Sequence, residues 1–231
     1  MRIRGRISLE KDGLSTSIST MILEQQVASI IQENISGYNK TGFQRKVPVV
    51  SSFAEFLGPY ALSKVEDDTV GRIALTKMPL DVALCNKGYF QAQTPNGIKL
   101  TRDGRFKLDK DGYLLTLEDF KVLSQEGTPI KFDKVPEDVN SIKIDRDGLM
   151  SFKDPQTLKT YEAGKIAAVS PDGMRIDDPN MKQGYVEQSN VSMQDEIYST
   201  INMRRCFGAN RELFKIQNES ISKMLQELGK A

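Results

Sequence analysis

The chain has 231 residues, of which 27% are charged and 39% hydrophobic, with 32 basic against 31 acidic side chains. A net charge of +1 lacks the basic excess of a nucleic-acid-binding protein, and there is no acidic or polybasic tail. Histidine is absent, which removes the commonest general base and the commonest zinc ligand together. Trp is also absent and aromatics are 7%, so the predicted core is aliphatic and thin.

The N-terminal stretch MRIRGRISLEKDG is basic but has no apolar run behind it, unlike a secretory signal peptide. No apolar run in the chain approaches the roughly 18 residues that span a bilayer, so no membrane insertion is expected. In the first zone, Leu14, Ile18, Met21, Ala28, Ile31, Ile35 and Tyr38 recur at helical steps, with Gln25 filling the gap. That spacing predicts a helix with one apolar stripe, ending near Gly37. Residues 46–69 hold Pro48, Gly58 and Pro59 and read as an extended connector.

From about Val70 the period changes. The runs IALT, LDVALC, YFQAQT, YLLTL, FKVL, SIKI and KIAAVS are short β segments. Pro95-Asn96-Gly97 and the Asp-Gly pairs starting at 103, 111, 147 and 172 supply the turns. Turn signals this frequent predict an antiparallel β domain. From Ser192 the helical period returns. Met203, Phe207, Phe214, Ile221, Met224 and Leu228 fall on one seam, with Asn210 and Gln217 at the remaining steps. The steps alternate between four and three, which is coiled-coil spacing. Ser192 is the expected N-cap, with Asp195 and Glu196 in the first turn, where the unpaired backbone N–H groups favour anions.

The expected fold is therefore α+β. Long N- and C-terminal helices pair as a coiled coil, and a central antiparallel β-rich domain lies between them in sequence. The expected segments are 1–45 helical, 46–69 connector, 70–186 β-rich and 187–231 helical. Two narrow seams interrupted by Gln25, Asn210 and Gln217 bury little, so further copies of the chain are expected to cover them.

The sequence gives no support for catalysis. Asp109-Lys110-Asp111-Gly112 and Asp145-Arg146-Asp147-Gly148 put glycine at the fourth position, whereas a calcium loop needs it at the sixth. Both read as hairpin turns. Neither G-x-S-x-G nor a phosphate-cradling glycine loop occurs. The cysteines, Cys85 and Cys206, lack C-x-x-C spacing and are expected to be small buried hydrophobes. Arg204-Arg205 reads as a solvated or intersubunit polar face. No catalytic residue, metal site or cofactor is predicted.

Four stretches, in order and at matching spacing, resemble the flagellar rod and hook axial proteins. Asn34, Ile35, Asn39, Thr41, Gly42 and Phe43, in NISGYNKTGFQRK, are similar to that family's A-N-N-L-A-N-x-x-T-x-G-F-K-R. Leu80, Asp81, Ala83, Leu84, Gly88, Tyr89 and Phe90 resemble its P-L-D-x-A-L-x-G-x-G-F-F. TPNGIKLTRDGRFKLDKDGYLLT resembles T-P-D-G-x-x-Y-T-R-D-G-x-F-x-L-D-x-x-G-x-L-V-T. QGYVEQSNVSMQDEIYSTINMRRCFGAN resembles the re-entry into the C-terminal helix, Q-G-x-L-E-x-S-N-V followed by R-x-Y-E-A-N. The chain departs from the pattern at Gln32, Glu33, Ser36 and Gly37, where the family favours Ala and Asn. It departs again at Cys85-Asn86-Lys87 and at Phe207-Gly208.

The resemblance implies a structural subunit of the flagellar basal-body rod, of proximal- or distal-rod type. Its terminal helices would pack with neighbouring copies into a hollow tube, with the β domain outside it. The tube would transmit torque from motor to hook. Export through the flagellar export apparatus without a cleaved signal, and contact with other rod and hook proteins, are implied too. So is a location in the basal body, outside the cytoplasm. The assembly residues it points to, together with the seam, are Asn34, Asn39, Thr41, Gly42, Phe43, Ser189, Asn190, Val191, Phe207, Asn210, Phe214, Ile221, Met224 and Leu228. A hook-type member of the same family, or a secreted β-domain binding protein, is the alternative.

Overall fold

In a computed structural model of the chain, the described residues are 3–50, 62–136 and 138–229, with the side chains of 3–12 left aside. The chain divides into two compact units. Unit 1 holds residues 1–36, 46–67 and 192–231, and unit 2 holds residues 37–45 and 68–191.

Unit 1 is built on two long helices. Helix α1 spans Ile3–Gly37 and helix α2 spans Met193–Leu228. At 1.5 Å rise per residue each is about 53 Å long. Ser192 caps α2 as expected, its hydroxyl accepting from the Asp195 N–H at 3.4 Å, with Asp195 and Glu196 in the first turn. Strands β1 (Lys46–Val50) and β2 (Leu62–Glu66) pair antiparallel beside them in sequence, Lys46 opposite Glu66.

The two helices run antiparallel. Ser17 Oγ donates to Gln217 Oε1 at 3.3 Å, and Asn210 Nδ2 donates to Glu24 Oε1 at 2.7 Å. In both pairs the residue numbers add to 234, and the pairs lie seven residues apart on each helix. The seam of α2 is the expected one: Met203, Asn210, Phe214, Gln217, Ile221 and Met224 are all half-buried. Phe207 and Leu228 are more open, Leu228 at 57% exposure.

The seam of α1 is the expected one only in part: Leu14, Met21, Ala28 and Ile35 are half-buried and Ile31 is buried. Ile18, Gln25 and Tyr38 of the predicted stripe are exposed. The residues that meet α2 are Ser17, Glu24 and Asn34, close to one heptad row that also contains Ile31. The physical reason is room. The long amide of Gln217 lies against Gly13, where an added Cβ would sit 2.9 Å from its Nε2. Small residues on α1 accept long polar ones from α2, and an apolar count alone misses such a face.

Unit 2 is antiparallel β throughout, as the alternation and turns predict. Its largest sheet has the order β13-β5-β9-β8-β7, with β6 also on β5. The strands are β5 (Tyr89–Thr94), β6 (Gly97–Thr101), β7 (Phe106–Leu108), β8 (Leu114–Thr116), β9 (Lys121–Val122) and β13 (Ala168–Val169). A three-stranded sheet comprises β10 (Ile142–Ile144), β11 (Leu149–Lys153) and β12 (Thr160–Lys165). Two smaller ladders join distant sequence: β14 (Met181–Gln183) with β4 (Val82–Leu84), and β15 (Tyr185–Glu187) with β3 (Ile73–Leu75). One core fills the unit, with Val82, Phe90, Leu114, Val122, Phe132, Met150 and Ile166 at its centre. Phe90 and Phe106 meet edge to face at 5.1 Å.

Three of the predicted Asp-Gly turns place glycine at positive φ: Gly112, Gly148 and Gly173. Asp103-Gly104 works differently. Gly104 is outside the left-handed region, and a Cβ there would stand 1.7 Å from the Val82 carbonyl oxygen. The glycine is needed for close approach, because the Val82 N–H donates to the Gly104 carbonyl at 2.9 Å. The cysteines also correct the expectation: Cys85 is half-buried and Cys206 exposed. Beyond Glu196 no described residue of α2 is buried, so Cys206 has nothing to be buried against.

Candidate functional site

The expected assembly residues gather in two constellations, one in each unit. In unit 2 the chain crosses twice, through residues 37–45 and again through 187–191. Gly42 takes φ +66°, and its N–H donates to the Glu187 carbonyl at 2.8 Å. A Cβ at Gly42 would lie 2.4 Å from the Arg102 carbonyl carbon and the Asp103 nitrogen, so both conformation and space exclude a side chain. One residue on, the Phe43 carbonyl accepts from the Asn190 N–H at 3.3 Å. The Asn190 side chain then works in both directions. Its Oδ1 accepts from the Arg45 N–H at 2.6 Å, and its Nδ2 donates to the Thr69 carbonyl at 3.0 Å.

Beneath these contacts lies a buried ion pair. Arg102 Nε donates to Glu187 Oε2 at 2.6 Å, and the two side chains are 1% and 2% exposed. The other Glu187 oxygen accepts from the Gly71 N–H at 2.8 Å. Arg102 also donates to the Gly88 carbonyl at 3.0 Å and the Asn86 carbonyl at 3.2 Å. Each guanidinium nitrogen and each carboxylate oxygen of the pair thus has a partner, the condition for a buried pair to be tolerated. Together Arg102, Glu187 and Asn190 tie residues 42–45, 69–71, 86–88 and 187–190 into one clamp.

Sequence reasoning picked Gly42, Phe43 and Asn190 but passed over Arg102 and Glu187. Both stand inside the family-like stretches TRDGRF and VEQSNV. Only their pairing across 85 residues identifies them. Asn39, Thr41, Ser189 and Val191 come together beside the clamp. With Tyr38, Lys40, Arg72, Val186 and Gln188 they line an open groove of about 390 Å³. Val191 is buried, Thr41 and Ser189 are half-buried and Asn39 is exposed.

In unit 1, Asn34 is 1% exposed and acts as a strand substitute. Its Nδ2 donates to the Lys46 carbonyl at 2.9 Å, and its Oδ1 accepts from the Lys46 N–H at 2.8 Å. The same Nδ2 reaches Glu196 Oε1 at 3.3 Å, joining α1, β1 and α2. Glu33 alongside accepts from both Lys46 and Lys64, and the Lys46 bond holds its carboxyl below the ordinary carboxylate value. Asn210 faces Glu24, whereas Phe214, Ile221 and Met224 lie half-buried along the seam.

Among the described residues no group of His, Cys, Asp and Glu is arranged to hold a metal ion. No helix among them is long and apolar enough to cross a membrane. Clamp, capped helix and layered seam are structural features that position chain segments.

Residues 83–152 match the family described as the flagellar hook protein FlgE/F/G D1 domain. The chain is 26% identical to the flagellar basal-body rod protein FlgF of Rhizobium meliloti (strain 1021), over 94% of this chain and 98% of that one. It is 25% identical to FlgF of Mesorhizobium japonicum, over 95% and 98%. It is 31% identical to the rod protein FlgG of Bacillus subtilis (strain 168), over 66% and 65%. The family match and these relatives over most of the chain support a flagellar rod protein. It is a structural subunit of the basal-body rod, located in the flagellar basal body and serving motility.

Proposed function

We propose that this subunit builds the rod by self-assembly, its two terminal helices pairing as a coiled coil and packing against those of neighbouring copies into a hollow tube. The observation that carries the reading is the second side of α2. Ile197, Tyr198, Ile201 and Ile216 are exposed at 49%, 66%, 42% and 61%. Helical spacing puts them opposite the seam that meets α1. Two helices alone leave this side in water, at about 1.5–3 kcal/mol for each large apolar side chain not buried. Tube packing would cover it. Ile18 and Ile22 of α1, also exposed, add to the same demand.

In this reading Asn34, Asn39, Thr41, Gly42, Phe43, Ser189, Asn190 and Val191 set the path of the chain into and out of the helical segments. Phe207, Asn210, Phe214, Ile221, Met224 and Leu228 make the seam. The functional segments are 1–45, 46–69, 70–186 and 187–231. The partners are further copies of the chain, other rod and hook proteins, and the flagellar export apparatus that delivers it. The role is mechanical transmission of torque and not catalysis.

Limited proteolysis of the dilute full chain tests this reading. Residues 70–180 resist cleavage while the first and last forty or so residues are cut first. Equal protection of the ends in dilute solution would contradict the need for neighbours.

A further inference from the structure

Glu24 is the one carboxylate on the α1 side of the helix seam whose chemistry is unfinished among the described residues. Its Oε1 accepts from Asn210, but its Oε2 is buried and has no hydrogen-bond partner. It belongs to a run of polar layers: Ser17 with Gln217, then Glu24 with Asn210 one heptad along. The same register sets apolar Ile31 opposite Met203. At the far end of this stretch the Asn34–Glu196 contact is fully buried. The helix pair is therefore graded, with a fully buried end at Asn34 and, from Glu24 outward, polar layers set among the half-buried Phe214, Ile221 and Met224.

We propose that the Glu24–Asn210 layer is a proton-controlled latch on the outer stretch of the α1–α2 pair. With the carboxyl neutral the stretch closes. With it ionised the stretch loosens while the Asn34–Glu196 end stays shut.

The physics is that of one carboxylate oxygen held out of water on a half-buried residue. An ionised carboxylate with one oxygen unpaired and out of water carries a desolvation cost that a neutral carboxyl largely avoids. Burial raises the Glu24 carboxyl above its ordinary value, and the Asn210 hydrogen bond lowers it by less. Among the described residues no cation is bonded to it. On α2, Asn210 is flanked by Cys206, Arg211 and Lys215, all exposed. On α1 the neighbours Thr20, Met21, Val27 and Ala28 are uncharged. Of the strands in this unit, the Lys46 and Lys64 ammoniums are engaged by Glu33.

The sign follows from the raised closed-state value. The closing contribution is fully present below the ordinary carboxylate range and is lost as pH rises through the raised value. Near neutral pH the outer stretch of a free chain is thus held loose. Further burial by neighbouring helices would draw in a proton and shut it. Such a device keeps the helices available until a neighbour is present.

Amide hydrogen exchange of the full chain tests the latch, with rates referred to unstructured peptide at each pH. Glu24→Gln removes the charge and keeps the Asn210 contact. At about pH 7.5, well above the ordinary carboxylate value, it slows exchange in residues 16–28 and 206–218 by roughly severalfold. It leaves the β strands and the Asn34 turn unchanged. At about pH 4 the variant and the native chain match. Asn210→Leu removes the donor that lowers the carboxyl, so it moves the loosening midpoint to higher pH. Native-like exchange in Glu24→Gln near neutrality would overturn the proposal. So would an unaltered pH dependence in that variant, or a midpoint unmoved by Asn210→Leu.

Discussion

The clamp makes a strong quantitative prediction. Replacing Glu187 by Ala leaves the Arg102 guanidinium 1% exposed with its charge unpaired, and leaves the Gly71 N–H without its acceptor. Two carbonyl contacts, to Gly88 and Asn86, remain to hold the arginine. Breaking a buried pair by removing one partner costs about 3–5 kcal/mol, and the Gly71 N–H adds about 1 kcal/mol more. Arg102→Ala has the converse effect, stranding Glu187 with the Gly71 N–H alone at 2.8 Å. Removing both partners takes away the uncompensated charge, so Arg102→Ala/Glu187→Ala costs less than the sum of the singles, by roughly 2 kcal/mol or more. Urea unfolding followed by the NMR amide signals of the β strands in unit 2 provides the cycle. Singles that each cost under about 1 kcal/mol, or a double that equals their sum, would refute the clamp as the tie between the two crossings.

Other outcomes follow from the same geometry. Gly42→Ala forces a side chain into φ +66° and into the Arg102 backbone, so it destabilises by more than the roughly 1 kcal/mol of a simple glycine replacement, read as a lowered urea midpoint. Asn34→Asp takes two donated hydrogen bonds from a site 1% exposed and sets a carboxylate against Glu196; it costs about 2–3 kcal/mol and speeds exchange of the Lys46 amide. Asp154 is held down to about 2 by Lys134, with Thr157 and the Gln156 N–H assisting. Its contribution is present above the ordinary carboxylate value and is lost as pH falls through about 2, which NMR titration of the carboxyl carbon reads directly; Lys134→Ala moves that midpoint upward.

Much of the architecture is legible in the sequence because it rests on local rules. Ser192 has a capping hydroxyl with Asp195 three residues on, and α2 begins where that motif places it. Gly37 ends α1. Gly112, Gly148 and Gly173 take the positive φ their Asp-Gly pairs announce. The α2 seam is also readable, since every half-buried step from Met203 to Met224 obeys one period.

Partnership is harder to read. Part of the α1 face that meets α2 is glycine or polar, Gly13, Ser17 and Glu24, and its value depends on Gln217 and Asn210 arriving opposite. Neither helix's own pattern contains that information. Arg102 and Glu187 are ordinary charges in sequence and become a clamp only when the fold brings them to 2.6 Å. Gly104 resembles another turn glycine until Val82 is placed against it. Cys206 looked like core by residue type, yet its helix has no core to offer past Glu196.

The central claim is that the exposed side of α2 is covered by other copies in the rod. Ile201→Glu/Ile216→Glu tests it most directly, because both residues are exposed in the isolated chain. Quantifying this variant in purified basal bodies, beside the circular dichroism of the free chain, separates folding from assembly. The account predicts a native spectrum and near-complete loss from the basal bodies. A variant present there at the native level would contradict it.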